Sequence, residues 1–588
     1  MNGLFPANLI EQRLEKLDTT IKRVVRETER RLVIAGFILH DFEKFPDAPE
    51  NCRKLPIEQH RQIFDEKIRQ LGIDRFINPD DPEVYREYID DLLCMAYNAQ
   101  RRWDTNWNFS EYGLNPILKD RILRSLSDLT CLADSLASII KHPQDAENYR
   151  LNALIHSLSN EKLRFTYHSI AENRGVLTNI VNNALMEAYT SLNTDEHIYY
   201  EPLLYLPTGV IYLARRDAPP VDPTDLPERV VDKIKQFCTG QLRLRQTGFG
   251  RDGKGMKYAD YYNLFCKDRE LMQIALDATL RILSSNKTSV AKSRSDNLVK
   301  FQQQGVLLSD YNFQFEKDDI RIDQIAEFGD LVTRKIWGDR VEKIFSVRKQ
   351  NKNLPELKSI DLTHKVAEFW GLAEYLPQIR EIQRINESLK EKGLKGNTGG
   401  VPYEWYYLAA KYLERNSGIE DVREKCNEVI AYIADLIEPE IAKYELPDGW
   451  DDLRLWVQQV VMLPNQKLSE IADRGEVFLR ELANYNAAKK SGRGRQLICS
   501  ISHSPYTVTE QMESAVLFTP QVYTNKQMLG GSNAKRNISS IAGVEMMLRQ
   551  ILMNQTQAVG KRFEDGKYRY LYFYPTYYFT PETNKFLQ

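Results

Sequence analysis

His40 and Asp41 stand side by side in Leu39-His40-Asp41-Phe42-Glu43-Lys44-Phe45, at the end of a long apolar run. An imidazole nitrogen and a carboxylate on adjacent residues can chelate one divalent cation or grip two from one side. Leu14, Leu17, Ile21, Val24, Thr28, Leu32 and Ala35 lead up to the pair at intervals of three or four residues, the period of a buried helix face. Residues 32–39 are almost wholly apolar. The sequence thus carries a ligand-capable pair to the end of a core helix, where buried polar groups require partners. Lys44, one turn on, is either a hydrogen-bond donor to a phosphate or departing oxygen, or a plain surface lysine. A His-Asp dipeptide alone is usually a helix-end pair without chemistry, so the case depends on further donors.

The remaining histidines are His60, His142, His156, His168, His197, His364 and His503. Two segments are suited to complete a site. Asp134 lies in Leu132-Ala133-Asp134-Ser135-Leu136-Ala137-Ser138, on a helix whose apolar face is Ile122, Leu126, Leu129, Leu132, Leu136 and Ile139. Its small neighbours allow backbone and a cation to come close; taken alone it reads as a solvated helix carboxylate. His168 opens Tyr167-His168-Ser169-Ile170-Ala171-Glu172-Asn173-Arg174-Gly175-Val176-Leu177-Thr178-Asn179. There a His is followed by small and polar residues, an Arg-Gly step and an apolar helix. His156, twelve residues earlier, is the weaker candidate for the same role.

With these motifs the chain resembles the large subunit of type I-D CRISPR effector complexes. The resemblance rests on His40-Asp41, on the segment His168 to Asn179, on Tyr205-Leu206-Pro207-Thr208-Gly209-Val210-Ile211-Tyr212, and on late motifs, and it spans essentially all 588 residues. It implies an HD-type nuclease with motifs in the circularly permuted order of type III large subunits, His-Asp first, Asp134 second and His168 last. The implied ligands are His40, Asp41, Asp134 and His168, the cofactor a divalent metal (Mn, Ni, Co or Mg), and the location the cytoplasm of a prokaryote. The implied partners are target DNA, single-stranded and in the adjacent duplex, a guide-RNA-containing complex with backbone and small subunits, and a recruited helicase subunit. In such complexes the guide supplies sequence and the protein reads backbone and a short duplex motif. The Gly-Gly-Asp-Asp cyclase motif of type III relatives is absent from the sequence. Two other readings stand beside this one: an HD phosphohydrolase acting on free nucleotides, and a non-catalytic scaffold subunit.

Hydrophobic residues at 42% and charged residues at 28% are globular values. No stretch reaches the ~20 apolar residues of a membrane span, and Met1-Asn2-Gly3-Leu4-Phe5-Pro6 lacks a signal-peptide pattern. The seven cysteines are scattered without CxxC spacing, as in a reduced intracellular protein. A net charge of −2 confines any nucleic-acid contact to local basic segments. Residues 241–258 offer Arg243, Arg245, Arg251, Lys254 and Lys257 among four glycines, with Phe249 placed to stack beside a base. Lys287, Lys292, Arg294 and Lys300 make a second such segment, and Lys489-Lys490-Ser491-Gly492-Arg493-Gly494-Arg495 a third. Each reads equally as a solvated loop.

The expected class is α+β, predominantly α. Residues 1–198 are expected to form an all-α HD domain, 199–310 a palm-like α/β region with the basic loop, and 311–490 a helical region. Residues 491–588 are expected to hold a zinc-ribbon-like insert and the start of a β region. Two apolar runs around Pro207-Thr208-Gly209 predict a hairpin, and Leu226-Pro227-Glu228 a helix start. In the insert only Cys499 keeps a cysteine. Ser502, Ser539 and Ala542 occupy the other positions and His503 lies nearby, too few donors for tetrahedral zinc. Tyr568 to Tyr574 reads as a strand, and the chain is expected to stop short of the family's C-terminal domains.

Overall fold

A computed structural model describes residues 3–16, 26–101, 109, 113–253, 255–315, 318–394, 396, 398–464, 466–467, 483, 499, 501, 508–510, 537–553, 578–581 and 585. The chain is mostly helical with small antiparallel sheets, the expected class. It divides into two compact units. One comprises Met1–Val230, Trp456–Glu476 and Gly560–Gln588, the other Val231–Leu455 and Val477–Val559. Among the described residues no helix is long and apolar enough to cross a membrane.

The first unit opens with helices α1 (Leu4–Lys16), α2 (Glu27–Leu39), α3 (Ile57–Gln70), α4 (Ile73–Ile77), α5 (Ile89–Arg101), α6 (Asp120–Ile139) and α7 (Tyr149–Ser159). Helix α2 starts with Glu27 and Glu29 at its electropositive end. It buries Leu32, Val33, Ala35, Gly36 and Leu39. Gly36 is required by close packing, because a Cβ there would lie 2.9 Å from Met95 Sδ on α5. Leu32, Leu39, Phe42, Phe64, Leu92, Leu93, Leu123 and Leu126 form one core. Ile10, Leu132, Leu136, Leu151 and Ile155 join Leu163, Leu204 and Ile211 in a second. Helix α6 contributes to both cores, which fixes its axis against α2 on one side and α1 and α7 on the other.

Strands β1 (Leu163–Ile170), β2 (Tyr200–Leu206) and β3 (Gly209–Arg215) follow, with helix α8 (Val176–Thr190) between β1 and β2. β2 and β3 form the expected hairpin, Leu206 opposite Gly209 across Pro207-Thr208. β1 pairs with β3 from Leu163↔Arg215 to Ser169↔Gly209, and its Ser169 and Ile170 also pair with strand Val461–Leu463. The all-α expectation for 1–198 therefore fails at 163–170, and the boundary at 198 falls within one sheet. The physical reason is burial on both faces: seven of the eight β1 residues are buried, so the alternation that marks a half-exposed strand is missing.

The helix at Leu226–Arg245 forms as expected, and the region beyond 310 is helical. Gly250–Asp252 (β4) and Gly255–Lys257 (β5) make a short hairpin. Late in the chain Val508–Glu510 pairs with Asn537–Ser539. Cys499 is buried against Ile538 and Ala542, and Ser539 Oγ caps helix Ser540–Leu548 by accepting from the Ala542 amide at 3.3 Å. Ser502, His503, the segment Lys489–Arg495 and the run Tyr568–Tyr574 lie outside the described residues.

Candidate functional site

His40 caps the C-terminus of α2 in helical conformation, which carries its ring to the end of the buried helix face. Its Nδ1 meets the carbonyl oxygen of Phe37, the bond expected of an Nδ1–H. The Phe37 ring stacks on the imidazole at 5.0 Å between centroids and 22° between planes. The other nitrogen, Nε2, lies 3.3 Å from Asp134 Oδ1 and 3.6 Å from Asp41 Oδ2. Burial works against a charged His40 ring, but the Asp134 hydrogen bond, the Phe37 carbonyl and the charges of Asp41 and Asp134 outweigh it and raise its pKa above the ordinary value.

The three side chains come from two helices. His40 and Asp41 end α2, while Asp134 sits in the middle of α6 and is buried among Ala133, Ser135 and Leu136. Phe42, 1% exposed, anchors the turn after Asp41 by meeting His60 and Phe64 edge-on, each at 5.1 Å. Lys44 Nζ is 2.8 Å from Asp41 Oδ1 and otherwise faces solvent. In this arrangement the donors are directed at one another. Among the described residues no group of three or more His, Cys, Asp or Glu side chains is arranged to hold a metal ion. The donor types are those that bind divalent cations. They comprise one imidazole nitrogen, whose tautomer is set from behind by a carbonyl, and two carboxylates within reach of it.

His168 does not join this group. It lies on β1, fully buried, with Nε2 2.9 Å from Asn182 Oδ1 and Nδ1 2.8 Å from the Tyr212 hydroxyl. Tyr189 stacks over it at 6.0 Å. Both ring nitrogens are committed to protein partners, and burial depresses its pKa to about 4, so His168 is a neutral scaffold residue. The Arg-Gly step that follows begins α8, with Gly175 at φ 62, and serves the fold. His156 is on α7.

The basic segment 241–258 is also used differently from the expectation. Arg251, on β4, forks onto Glu327 with Nε–Oε1 at 2.9 Å and Nη2–Oε1 at 2.5 Å, and reaches Asp323 at 3.3 Å. Glu327 and Asp323 are 1% and 0% exposed, and the Tyr406 hydroxyl donates to Glu327 at 2.8 Å. Arg243 bonds Glu270 at 2.6 Å from the last turn of its helix, where Arg245 also lies. Phe249 packs at 4.8 Å from Tyr262 and 5.7 Å from Tyr258. Lys257 is exposed, and Lys254 lies outside the described residues. Arg251 and Phe249 thus make internal contacts, while Arg243 pairs with Glu270 at the surface and stays largely exposed. The sequence reading passed over Phe37, although an aromatic three residues before a helical His is the spacing at which two side chains meet.

No family model and no curated protein matches the chain. Among solved structures it is similar to that of the type I-D CRISPR-Cas nuclease Cas10d in complex with the SIRV3 AcrID1 (gp02) anti-CRISPR protein, at 15% identity and a TM-score of 0.26. The similarity covers 68% of this chain and 44% of that one, so the chain spans less than half the length of that protein.

Two outcomes follow from these placements. Arg251→Ala leaves two buried carboxylates without their cation, so it destabilises the protein by about 3–5 kcal/mol in urea unfolding. A stability unchanged within error would contradict the internal role. The His168 pKa lies below the 6.5 of the unfolded chain, so the unfolded state takes up the proton first. Stability that is full above pH 6.5 is lost as pH falls toward about 4, by at most roughly 3 kcal/mol. His168→Gln, which cannot titrate, should flatten that acid limb, measured by denaturant midpoints between pH 7 and 4.

Proposed function

We propose that the first unit is a divalent-cation-dependent phosphodiester hydrolase acting on DNA, and that the chain serves as the large subunit of a type I-D-like CRISPR effector complex. One observation carries the site: with Nδ1–H given to the Phe37 carbonyl, Nε2 of a neutral His40 presents a lone pair to the oxygens of Asp134 and Asp41. Lys44 meets Asp41 at 2.8 Å, and the approach of Nε2 to the two carboxylates is suited to hold a further positive charge, either a proton or a metal cation. The raised pKa is the proton's version of this demand. A cation would be held there by His40 Nε2, Asp41 and Asp134, and when bound it lowers the pKa of a water and draws charge from the scissile phosphate.

The chain's own residues then have distinct tasks. Phe37 holds the His40 tautomer and ring plane. Phe42, wedged between His60 and Phe64, fixes the backbone on which Asp41 is carried. Lys44 orients Asp41 and brings an ammonium beside the group, where it can neutralise a phosphate oxygen. DNA as substrate, the guide-RNA complex with its backbone and small subunits, and the helicase partner enter through the sequence resemblance to that family. A second reading, hydrolysis of free nucleotides, gains weight from the internal use of Arg251, which removes one expected strand contact.

The test is cleavage by the metal-stripped protein resupplied with Mn²⁺ or Ni²⁺, on single-stranded DNA and on deoxynucleoside triphosphates in parallel. His40→Ala, Asp41→Ala and Asp134→Ala should each lower DNA cleavage at least a hundredfold while the protein stays folded, beyond the roughly 10–100-fold loss typical of removing an outer-shell partner. His168→Gln should retain cleavage. Cleavage of triphosphates alone would select the second reading, and wild-type DNA cleavage by any of the three alanine variants would remove that residue from the site.

A further inference from the structure

Gly3, the residue before α1, touches the supports of the acid–imidazole group from both sides. Gly3 is buried, and a Cβ built on it would collide with the carbonyl oxygen of Ala133 and lie 2.8 Å from Cζ of Phe37. Ala133 directly precedes Asp134 on α6. Phe37 stacks on the His40 ring and accepts its Nδ1–H on α2. The obstacle at Ala133 is backbone, which cannot turn aside as the end of a flexible side chain would. Helix α1 is itself held in place by Ile10, fully buried in the cluster that contains Leu132 and Leu136 of α6. The residue leading into it therefore bears on two of the three donor-bearing segments, and its close approach depends on the absence of a side chain at position 3.

We infer that Gly3 is a positioning residue: by keying between Phe37 and Ala133 without a side chain, it sets how far the His40 imidazole stands from the Asp134 carboxylate. This rests on the metal-site reading for its functional consequence, but not for its geometry. A methyl at position 3 has to be accommodated by moving the Ala133 backbone, the Phe37 ring or both, and each of those movements is passed directly to a donor. Cation sites are sensitive to such shifts, because donors must be held within ~0.5 Å of productive geometry. Gly3 touches no donor atom itself, so its effect is transmitted entirely through Phe37 and Ala133.

The experiment uses the full chain with Gly3→Ala, a deletion of Asn2 and Gly3, and Leu4→Ala as a control in the same turn. Mn²⁺ affinity is measured by calorimetry, and the His40 ring resonances of ¹³C-histidine-labelled, metal-free protein report its stacking against Phe37. Gly3→Ala and the deletion should weaken Mn²⁺ binding by about tenfold or more, the loss seen on removing an outer-shell support, and should displace the His40 signal. Their thermal midpoints should stay within a few degrees of wild type, and Leu4→Ala should bind Mn²⁺ normally. If Gly3→Ala does not fold, the deletion variant, which brings Met1 and its side chain to the place before Leu4 at a free chain end, decides the matter. Wild-type protein that binds no Mn²⁺ would sink the metal reading while leaving the His40 signal as the measure of positioning. An unmoved His40 signal in the folded variants, or unchanged Mn²⁺ affinity in them, would overturn the inference.

Discussion

The bond from the His40 ring to the Phe37 carbonyl is the interaction on which the site depends. It assigns one ring nitrogen to the helix and thereby turns the other toward Asp134 and Asp41 as an acceptor. Without it the imidazole could present an N–H to the carboxylates, the three groups would satisfy one another, and no cation would be needed. With it, Nε2 stands toward the two carboxylates, of which Asp41 is met by the Lys44 ammonium at 2.8 Å. Burial sharpens the demand, because charge interactions strengthen as water is excluded, and His40 and Asp134 are only 9% and 7% exposed.

The surrounding helices hold that arrangement in place. Helix α2 reaches the site along an apolar face packed on α5 through Gly36, and α6 presents Asp134 from a stretch whose other residues belong to two cores. His168, thirty-four residues beyond Asp134, shows the opposite solution for the same side chain. Its two nitrogens are matched by a hydroxyl and an amide, no carboxylate faces it, and burial keeps it neutral. The contrast between the two histidines lies in what stands opposite each nitrogen, which decides whether a buried imidazole serves as a ligand or as scaffold.

This distinction also marks how far the sequence can be read. The apolar run into His40, the periodic face of α6 and the Pro207-Thr208 hairpin were legible because period and turn chemistry are local. The pairing of His40-Asp41 with Asp134 was not legible in that way: taken alone Asp134 reads as a solvated helix carboxylate, and only the family resemblance joined it to the pair. The placement of His168 was not, since a strand buried on both faces carries no alternation and Tyr212 and Asn182 approach it from distant sequence. Arg251 was misread for a similar reason. A glycine-flanked arginine has the composition of a solvated loop, and nothing local announces that Glu327 and Asp323 lie buried opposite it. Gly3 was invisible altogether, because the reason for its lack of a side chain resides on α2 and α6.

The most direct test of the central claim is electron paramagnetic resonance of Mn²⁺ bound to the purified chain labelled with ¹⁵N-histidine. The account predicts hyperfine coupling from a single imidazole nitrogen, abolished in His40→Gln and preserved in His168→Gln. Bound Mn²⁺ that shows no histidine coupling, or a coupling that survives His40→Gln and disappears with His168, would contradict it.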